Sequence, residues 1–246
     1  MTPIELAGQI AVELIRKSGA REFESDAACL AVGRAASLIV CEIFENLGDI
    51  KVPNKLLYTE MDGTPRQIVL ADHAGDFNPT AANDLRKTSD GSQDLEVQLS
   101  MESVANAGFR QSAKIDFGEN WAQEYQARAA VELAATPTAG RTINCFLAYS
   151  QSGTAGTANS GNTTGSDAAY TGYSSNAAAA VLQLHQISSF VVTGQATGTV
   201  QVIEGWTFAP RGRYANLIVQ NDVGSAFHSD DAECHIVLNP LVTEVQ

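Results

Sequence analysis

The chain has 246 residues, of which 44% are hydrophobic and 17% are charged, a composition typical of globular proteins rather than of disordered or fibrous ones. Its 28 acidic and 15 basic residues give a formal net charge of −13, which argues against binding to nucleic acid, because a polyanion binder neutralises phosphates with Lys and Arg. A chain of this length buries a hydrophobic core without help from a metal ion or a disulfide.

The sequence indicates folding in the cytoplasm and no membrane span. The first residues lack a basic segment followed by an apolar run, so no signal peptide is predicted. The most apolar stretch, residues 27–44, is interrupted by Arg34. The cysteines lie far apart and without zinc-site spacing, which predicts reduced, buried thiols at Cys29, Cys41, Cys145 and Cys234.

Residues 1–50 are predicted to form a helical segment that serves as an anchor or an oligomerisation element. Thr2 and Glu5 have the spacing of a capping box, and Gly19 ends the first helix. The apolar stripe of that helix includes Ile4, Ile10 and Leu14. A second helix is predicted from about residue 25 to Gly48, although the β-branched residues of 38–44 leave a strand there as an alternative.

From residue 51 to the end, short apolar runs separated by turn residues predict a mainly β domain. Leu95, Val97 and Leu99 alternate with polar residues, as in a strand with one face in water. Many short strands must avoid exposed edges, so the expected fold is an antiparallel β-sandwich of the jelly-roll type. The predicted strands are 56–59, 67–71, 95–101, 110–117, 125–133, 142–149, 182–193, 199–208, 214–220 and 233–241.

Residues 150–180 interrupt this pattern with a segment rich in Gly, Ser, Thr, Asn and Ala. Such a composition does not build a core, which predicts an exposed insertion. Its bulky members are Tyr170 and Tyr173. Two interpretations remain open: an arm that contacts a neighbouring molecule, or a disordered surface loop.

No catalytic or metal-binding motif is present in the sequence, so neither a catalytic residue nor a metal or cofactor is predicted. The cluster of His228, Asp230, Asp231, Glu233 and His235 fits a turn and strand better than a metal site. A second cluster consists of Asp72, His73 and Asp76. It is also interpreted as structural, because a histidine beside turn-forming carboxylates is common in loops. Aromatic residues that would suit a sugar site, but are more typical of a core or interface, are Trp121, Tyr125, Trp206 and Tyr214.

Several stretches resemble recurring passages of tailed-phage virion proteins. They are FGENW at 117–121, YQARAAVELAATPTAG at 125–140, GSDAAY at 165–170, PRGRYANLIVQN at 210–221 and AFHS at 226–229. The resemblance extends over about residues 60–246 and consists of apolar and Gly-rich positions rather than a catalytic signature.

This resemblance implies a non-enzymatic structural component of a phage virion, made in the host cytoplasm, such as a capsid decoration or cement protein. It implies contacts with the major capsid protein or other virion proteins, and a homo-oligomer, with a trimer as the specific expectation. The contact residues expected are Ile4, Ile10, Leu14, Tyr170, Tyr173, Arg211 and Arg213. The alternatives are a tail or fibre module that binds a host-surface carbohydrate or links tail parts, and a virion glycan hydrolase.

Overall fold

The computed structural model describes residues 66–87, 94–119, 121–230 and 232–241, all of which belong to one compact unit. The predicted N-terminal helices and the predicted strand at 56–59 lie outside the described residues. Within them, the chain is mainly β, as predicted, with ten strands in two sheets. The strands are β1 (Ile68–Ala71), β2 (Leu95–Gln98), β3 (Phe109–Asp116), β4 (Glu124–Val131), β5 (Thr142–Ser150), β6 (Ala168–Ala169), β7 (His185–Val191), β8 (Gln201–Phe208), β9 (Tyr214–Asp222) and β10 (His235–Leu241).

Five strands form each sheet. Sheet I has the order β2-β1-β10-β4-β8, and sheet II has the order β6-β3-β9-β5-β7. Neighbouring strands are antiparallel except β1 and β2, whose parallel pairing requires the long connection through residues 72–94.

The two sheets share one core, to which the strands other than the two-residue β6 contribute inward-facing side chains. Ile236 and Leu238 of sheet I, and Leu147 and Leu217 of sheet II, are at most 1% exposed and belong to this core. Both described cysteines, Cys145 and Cys234, are buried, as the sequence predicts.

Sheet II is also covered on its outer face. Phe146 and Ile218 point away from the main core and pack in a second apolar cluster with Tyr170, Ala180 and Val181. The covering residues come from a segment that includes helix α1 (Ala177–Ala180) and two short 3-10 turns (Ser160–Asn162 and Val181–Gln183). Most residues of the 150–180 segment are exposed, but Tyr170 and Ala180 are buried, because the outer face of the sheet supplies the apolar area that the segment itself lacks.

The outer face of sheet I is covered by part of the β1–β2 connection. The Phe77 ring lies 5.2 Å from the rings of both His73 and His235, and the Leu85 backbone N–H donates to His235 Nε2 at 3.1 Å. Since His235 Nδ1 lies 2.8 Å from the Glu233 carbonyl oxygen, the ring is held in the neutral tautomer with its proton on Nδ1.

On one side of the molecule the edge strands of the two sheets shield each other. Trp206 of β8 donates its backbone N–H to Ser188 Oγ of β7 at 3.2 Å. This close approach requires Gly205, because a Cβ there would lie 2.1 Å from Ser188 Oγ and 2.6 Å from the Phe190 ring.

Candidate interaction site

The arginine end is the end of the two-sheet unit that carries Arg211 and Arg213, in the short β8–β9 connection. Strand pairing places the last residue of β3, Asp116, and the last residue of β5, Ser150, beside Tyr214 at the start of β9. Two predicted contact residues therefore lie at the same end as the beginning of the predicted insertion.

Arg213 is occupied within the chain. Its Nε lies 2.7 Å from Asp116 Oδ1 and its Nη2 lies 3.0 Å from Asp116 Oδ2, a bidentate pair, and its Nη1 lies 3.3 Å from Glu119 Oε1. Hydrogen bonding to Arg213 lowers the pKa of Asp116. The guanidinium also lies 5.0 Å from the centre of the Tyr214 ring. Arg213 thus fixes the β3–β4 and β8–β9 connections to each other.

Arg211, in contrast, is an exposed residue. Beneath it the Tyr149 hydroxyl lies 3.1 Å from His185 Nδ1, and the two rings are stacked with centroids 6.0 Å apart. Burial, together with the positive charge of Arg211, lowers the pKa of His185. Of the two arginines, Arg211 is the one available to a partner.

The aromatic residues of the insertion have different positions. Tyr170 is 3% exposed, and its hydroxyl donates to the Gly161 carbonyl at 2.6 Å, so it anchors the segment instead of serving as an outer contact. Tyr173 is 49% exposed, and Leu182, which the sequence analysis did not single out as a contact, is 83% exposed. The remaining predicted contacts, Ile4, Ile10 and Leu14, lie outside the described residues.

Two basic residues that the sequence analysis missed attach the insertion to β3. Arg110 makes a bidentate pair with Asp167, at 2.8 Å from Nε to Oδ1 and 2.6 Å from Nη2 to Oδ2. Asp167 also accepts a hydrogen bond from Ser100 Oγ at 2.7 Å. Residues 151–166 contain no charged residue, so Asp167 stands out in this segment. That isolated charge was the feature of the sequence that could have predicted an ion pair.

Lys114 is the second of these residues. Its ammonium is surrounded by five uncharged oxygens, at 3.0 Å to Ser150 Oγ, 2.9 Å to Ser152 O, 2.8 Å to Thr154 O, 3.3 Å to Thr157 O and 2.5 Å to Asn159 Oδ1. Partial burial lowers the pKa of this group. Lys114 is the last lysine of the sequence, but nothing in the sequence around it predicts its contacts with the insertion.

A cleft of about 480 Å³ opens where the β2–β3 connection meets the insertion. Phe109 and Tyr170 are its aromatic lining residues, and Glu102, Ser103 and Thr171 are among its polar ones. Its volume is in the range of sites for small ligands. The aromatic residues that the sequence analysis considered for a sugar site, and interpreted as more typical of a core or interface, lie elsewhere: Tyr125 is fully buried, whereas Trp121 and Trp206 are 37% and 51% exposed.

The histidine and carboxylate clusters have structural contacts. His228 Nδ1 accepts from the Asp230 backbone N–H at 3.1 Å, as expected of a turn, and His235 is buried on β10. His73 Nε2 lies 3.2 Å from the Val69 carbonyl oxygen. Among the residues that the structure describes, no three His, Cys, Asp or Glu side chains are grouped as metal ligands would be.

Comparison with known proteins identifies no relative: no family model, no curated protein and no solved structure matches the chain. In the described part of the chain, no helix has the length and apolar character needed to cross a membrane.

Proposed function

We propose that the chain is a non-enzymatic structural component of a phage virion, a decoration or cement subunit that stabilises the capsid shell through subunit contacts. The order of the strands carries this proposal. With the short strands β2 and β6 set aside, sheet I reads β1-β10-β4-β8 and sheet II reads β3-β9-β5-β7. This order supports a jelly roll, which we propose as the fold and which recurs in viral capsid and lectin domains. The resemblance of residues 60–246 to tailed-phage virion proteins favours the capsid setting.

The insertion supports a role in contacts. A fold alone does not define a function, so the surface must supply the interaction. Tyr173 and Leu182 expose apolar side chains on a segment that is itself anchored by Tyr170 and Asp167. Exposed aromatic and aliphatic groups held by a folded support are suited to bury area against a partner. The partner proposed is the major capsid protein, and repetition in a symmetric lattice adds avidity to each modest contact.

Electron cryomicroscopy of virions tests the location. We expect many copies in a regular arrangement on the capsid shell. Density confined to the tail would overturn the decoration role, and saturable hydrolysis in a broad glycan and esterase screen would overturn the non-enzymatic assignment.

Binding to isolated capsids tests the contact residues. We expect Tyr173→Ala combined with Leu182→Ala to weaken binding about tenfold or more. Truncation of two anchor residues of an interface costs more than about 1.4 kcal/mol of binding free energy, which corresponds to a factor of about ten in Kd. Val202→Ala is the matched control, since Val202 is 42% exposed on β8, outside the insertion. Equal binding by the double variant and the control would contradict the assignment of this surface.

The cleft beside Phe109 favours a second candidate, a tail or fibre module that binds a carbohydrate. An aromatic face next to hydroxyl and carboxylate groups suits a short glycan. A glycan array probed with the purified chain tests this. Binding that is lost in Glu102→Gln but kept in Trp206→Ala would support the candidate, and an array without signal would reject it.

A further inference from the structure

The connection that follows β5 is ordered without a hydrophobic core of its own. Residues 151–159 read QSGTAGTAN and include no apolar side chain larger than that of alanine. Such a sequence cannot offset the entropy of ordering by burying apolar surface. Polar contacts must therefore hold the loop in its observed form.

Those contacts converge on one atom, Lys114 Nζ. Three backbone carbonyls, from Ser152, Thr154 and Thr157, and the side-chain oxygens of Ser150 and Asn159 lie 2.5–3.3 Å from it. An ammonium has three N–H donors and no acceptor, so it is matched by surrounding oxygens. The five oxygens take the place of its hydration shell, as carbonyl oxygens do for a monovalent cation in a selectivity filter. We infer that residues 150–159 form a cation-binding loop whose bound cation is the chain's own Lys114 ammonium.

The geometry around the oxygens agrees with an assembled site. The single O–H of Ser150 is shared between two carbonyls of the loop, with Oγ 2.9 Å from both Ser152 O and Thr157 O, and Asn159 Nδ2 donates to Thr163 O at 2.9 Å. Ala158, between two of the cation's ligands, has a φ of 53°, which costs free energy in a residue with a Cβ. The cation contacts compensate for this strain and aim the carbonyls inward.

Lys114 is thus a positioning residue: it shapes the loop surface without itself presenting a contact. The Lys114 contacts order the loop whatever partner the chain binds, so this role is separate from the proposed virion function. It assigns a site for a monovalent cation of ammonium size, formed by neutral oxygens and filled from within the chain.

Hydrogen exchange in Lys114→Ala tests the inference. The amides of Ser152 and Thr154 donate within the loop, at 3.1 Å to Ser150 Oγ and 3.1 Å to Ser152 Oγ, and they report on its order. We expect their exchange to accelerate about tenfold or more, because several hydrogen bonds to a charged group are lost together. Lys87→Ala is the control, since Lys87 is an exposed lysine of the β1–β2 connection.

Chemical rescue separates a cation site from a general loss of stability. n-Propylammonium supplies the atoms that Lys114→Ala removes, and we expect it to slow exchange in the loop towards the wild-type rate. Tetramethylammonium chloride at the same concentration has the same charge but no N–H donor, and we expect no effect. Rescue by both salts, rescue by neither, or unchanged exchange in Lys114→Ala would overturn the inference.

A second variant keeps the test decisive if Lys114→Ala does not fold. Lys114→Met retains the aliphatic contacts but not the charge, and the same acceleration of loop exchange is expected. Wild-type exchange rates in Lys114→Met would overturn the inference.

Discussion

Two residues show how single atoms set the form of this molecule. Gly205 allows β8 to pass over β7, where the missing Cβ leaves room for Ser188 Oγ and the Phe190 ring. His235 connects the outer face of sheet I to its covering segment through Nε2, which accepts from the Leu85 backbone N–H, while Nδ1 donates to the nearby Glu233 carbonyl and fixes the ring. Neither role is visible in the sequence, because each depends on a partner far along the chain.

We predict that Gly205→Ala lowers the free energy of unfolding by about 1–3 kcal/mol, the usual cost of forcing extra atoms into a packed site. A Cβ at this position would also lie 3.0 Å from the Ala127 carbonyl oxygen, so β8 must move away from two strands. Urea denaturation measures the change. Gly212→Ala is the control, since its Cβ would meet nothing nearer than Tyr149 Cδ1 at 3.7 Å, and equal effects in the two variants would contradict the steric account.

The pH dependence of stability should report on His235. Burial lowers its pKa, and the charges of Asp84, Arg86 and Glu233 act on it with opposite signs. The unfolded chain therefore binds this proton more readily than the folded chain, so stability is complete above the unfolded pKa of about 6.5 and falls as the pH decreases below it.

Urea denaturation between pH 7 and pH 5 checks this prediction. His235→Gln should be less stable than wild type at pH 7, because two hydrogen bonds are disturbed, but its stability should change less over this pH range. His185, whose pKa burial also lowers, contributes the remaining slope. His228→Gln is the control at a partly exposed position, and a wild-type curve that is flat over this range would refute the prediction.

At the scale of elements, the sequence predicted the strands and the exposure of most of the insertion, but not the cover that the insertion forms over sheet II. Each predicted strand from residue 67 onward coincides with an observed one, because alternation and turn residues are local signals. Strand β6 and helix α1 were missed, since their alanines carry little pattern. The covering role of the insertion was missed because its apolar partners, Phe146 and Ile218, lie outside the segment, on β5 and β9.

The continuous apolar runs of β5 and β9 were a signal of this arrangement. Residues 145–149 read CFLAY and 217–219 read LIV, whereas a sheet with one face in water would alternate. Such runs indicate that both faces of the strand are buried. At the candidate site, Arg211 and Tyr173 were predicted and are exposed, whereas Tyr170 and Arg213 are engaged within the chain.

The two tyrosines of the insertion should therefore respond differently to substitution. Tyr170→Ala removes a buried ring from the second cluster, and we expect a loss of about 3–5 kcal/mol in unfolding free energy. Tyr170→Phe removes only the hydrogen bond to Gly161 and should cost about 1 kcal/mol. Tyr173→Ala should change stability by less than about 0.5 kcal/mol. Calorimetry or urea denaturation checks this order, and a larger loss in Tyr173→Ala than in Tyr170→Ala would contradict it.

At the scale of the whole molecule, the described unit is a central core enclosed by two sheets, each of which is partly covered on its outside. Cys145 and Cys234 lie in that central core and are fully buried. Burial raises the pKa of the Cys145 thiol, so little reactive thiolate forms in the folded state.

Thiol labelling should thus follow global unfolding. In a Cys29→Ala, Cys41→Ala background, we expect Cys145 and Cys234 to be modified by a thiol reagent at least about a thousandfold more slowly in buffer than in urea, as for groups exposed only when the core opens. Mass spectrometry against time measures both sites. Rapid labelling of either cysteine in buffer would show that the core opens locally.

The mutual shielding of β7 and β8 limits the pairing of strand edges between copies of the chain. These are the two longest edge strands, and unpaired strand edges favour aggregation between chains. Ser188 Oγ occupies one backbone donor of β8, and the edges left at the opposite ends of the sheets, β2 and β6, have only four and two residues. A protein built this way can accumulate to high concentration in a cell while offering neighbouring copies little opportunity to extend its sheets.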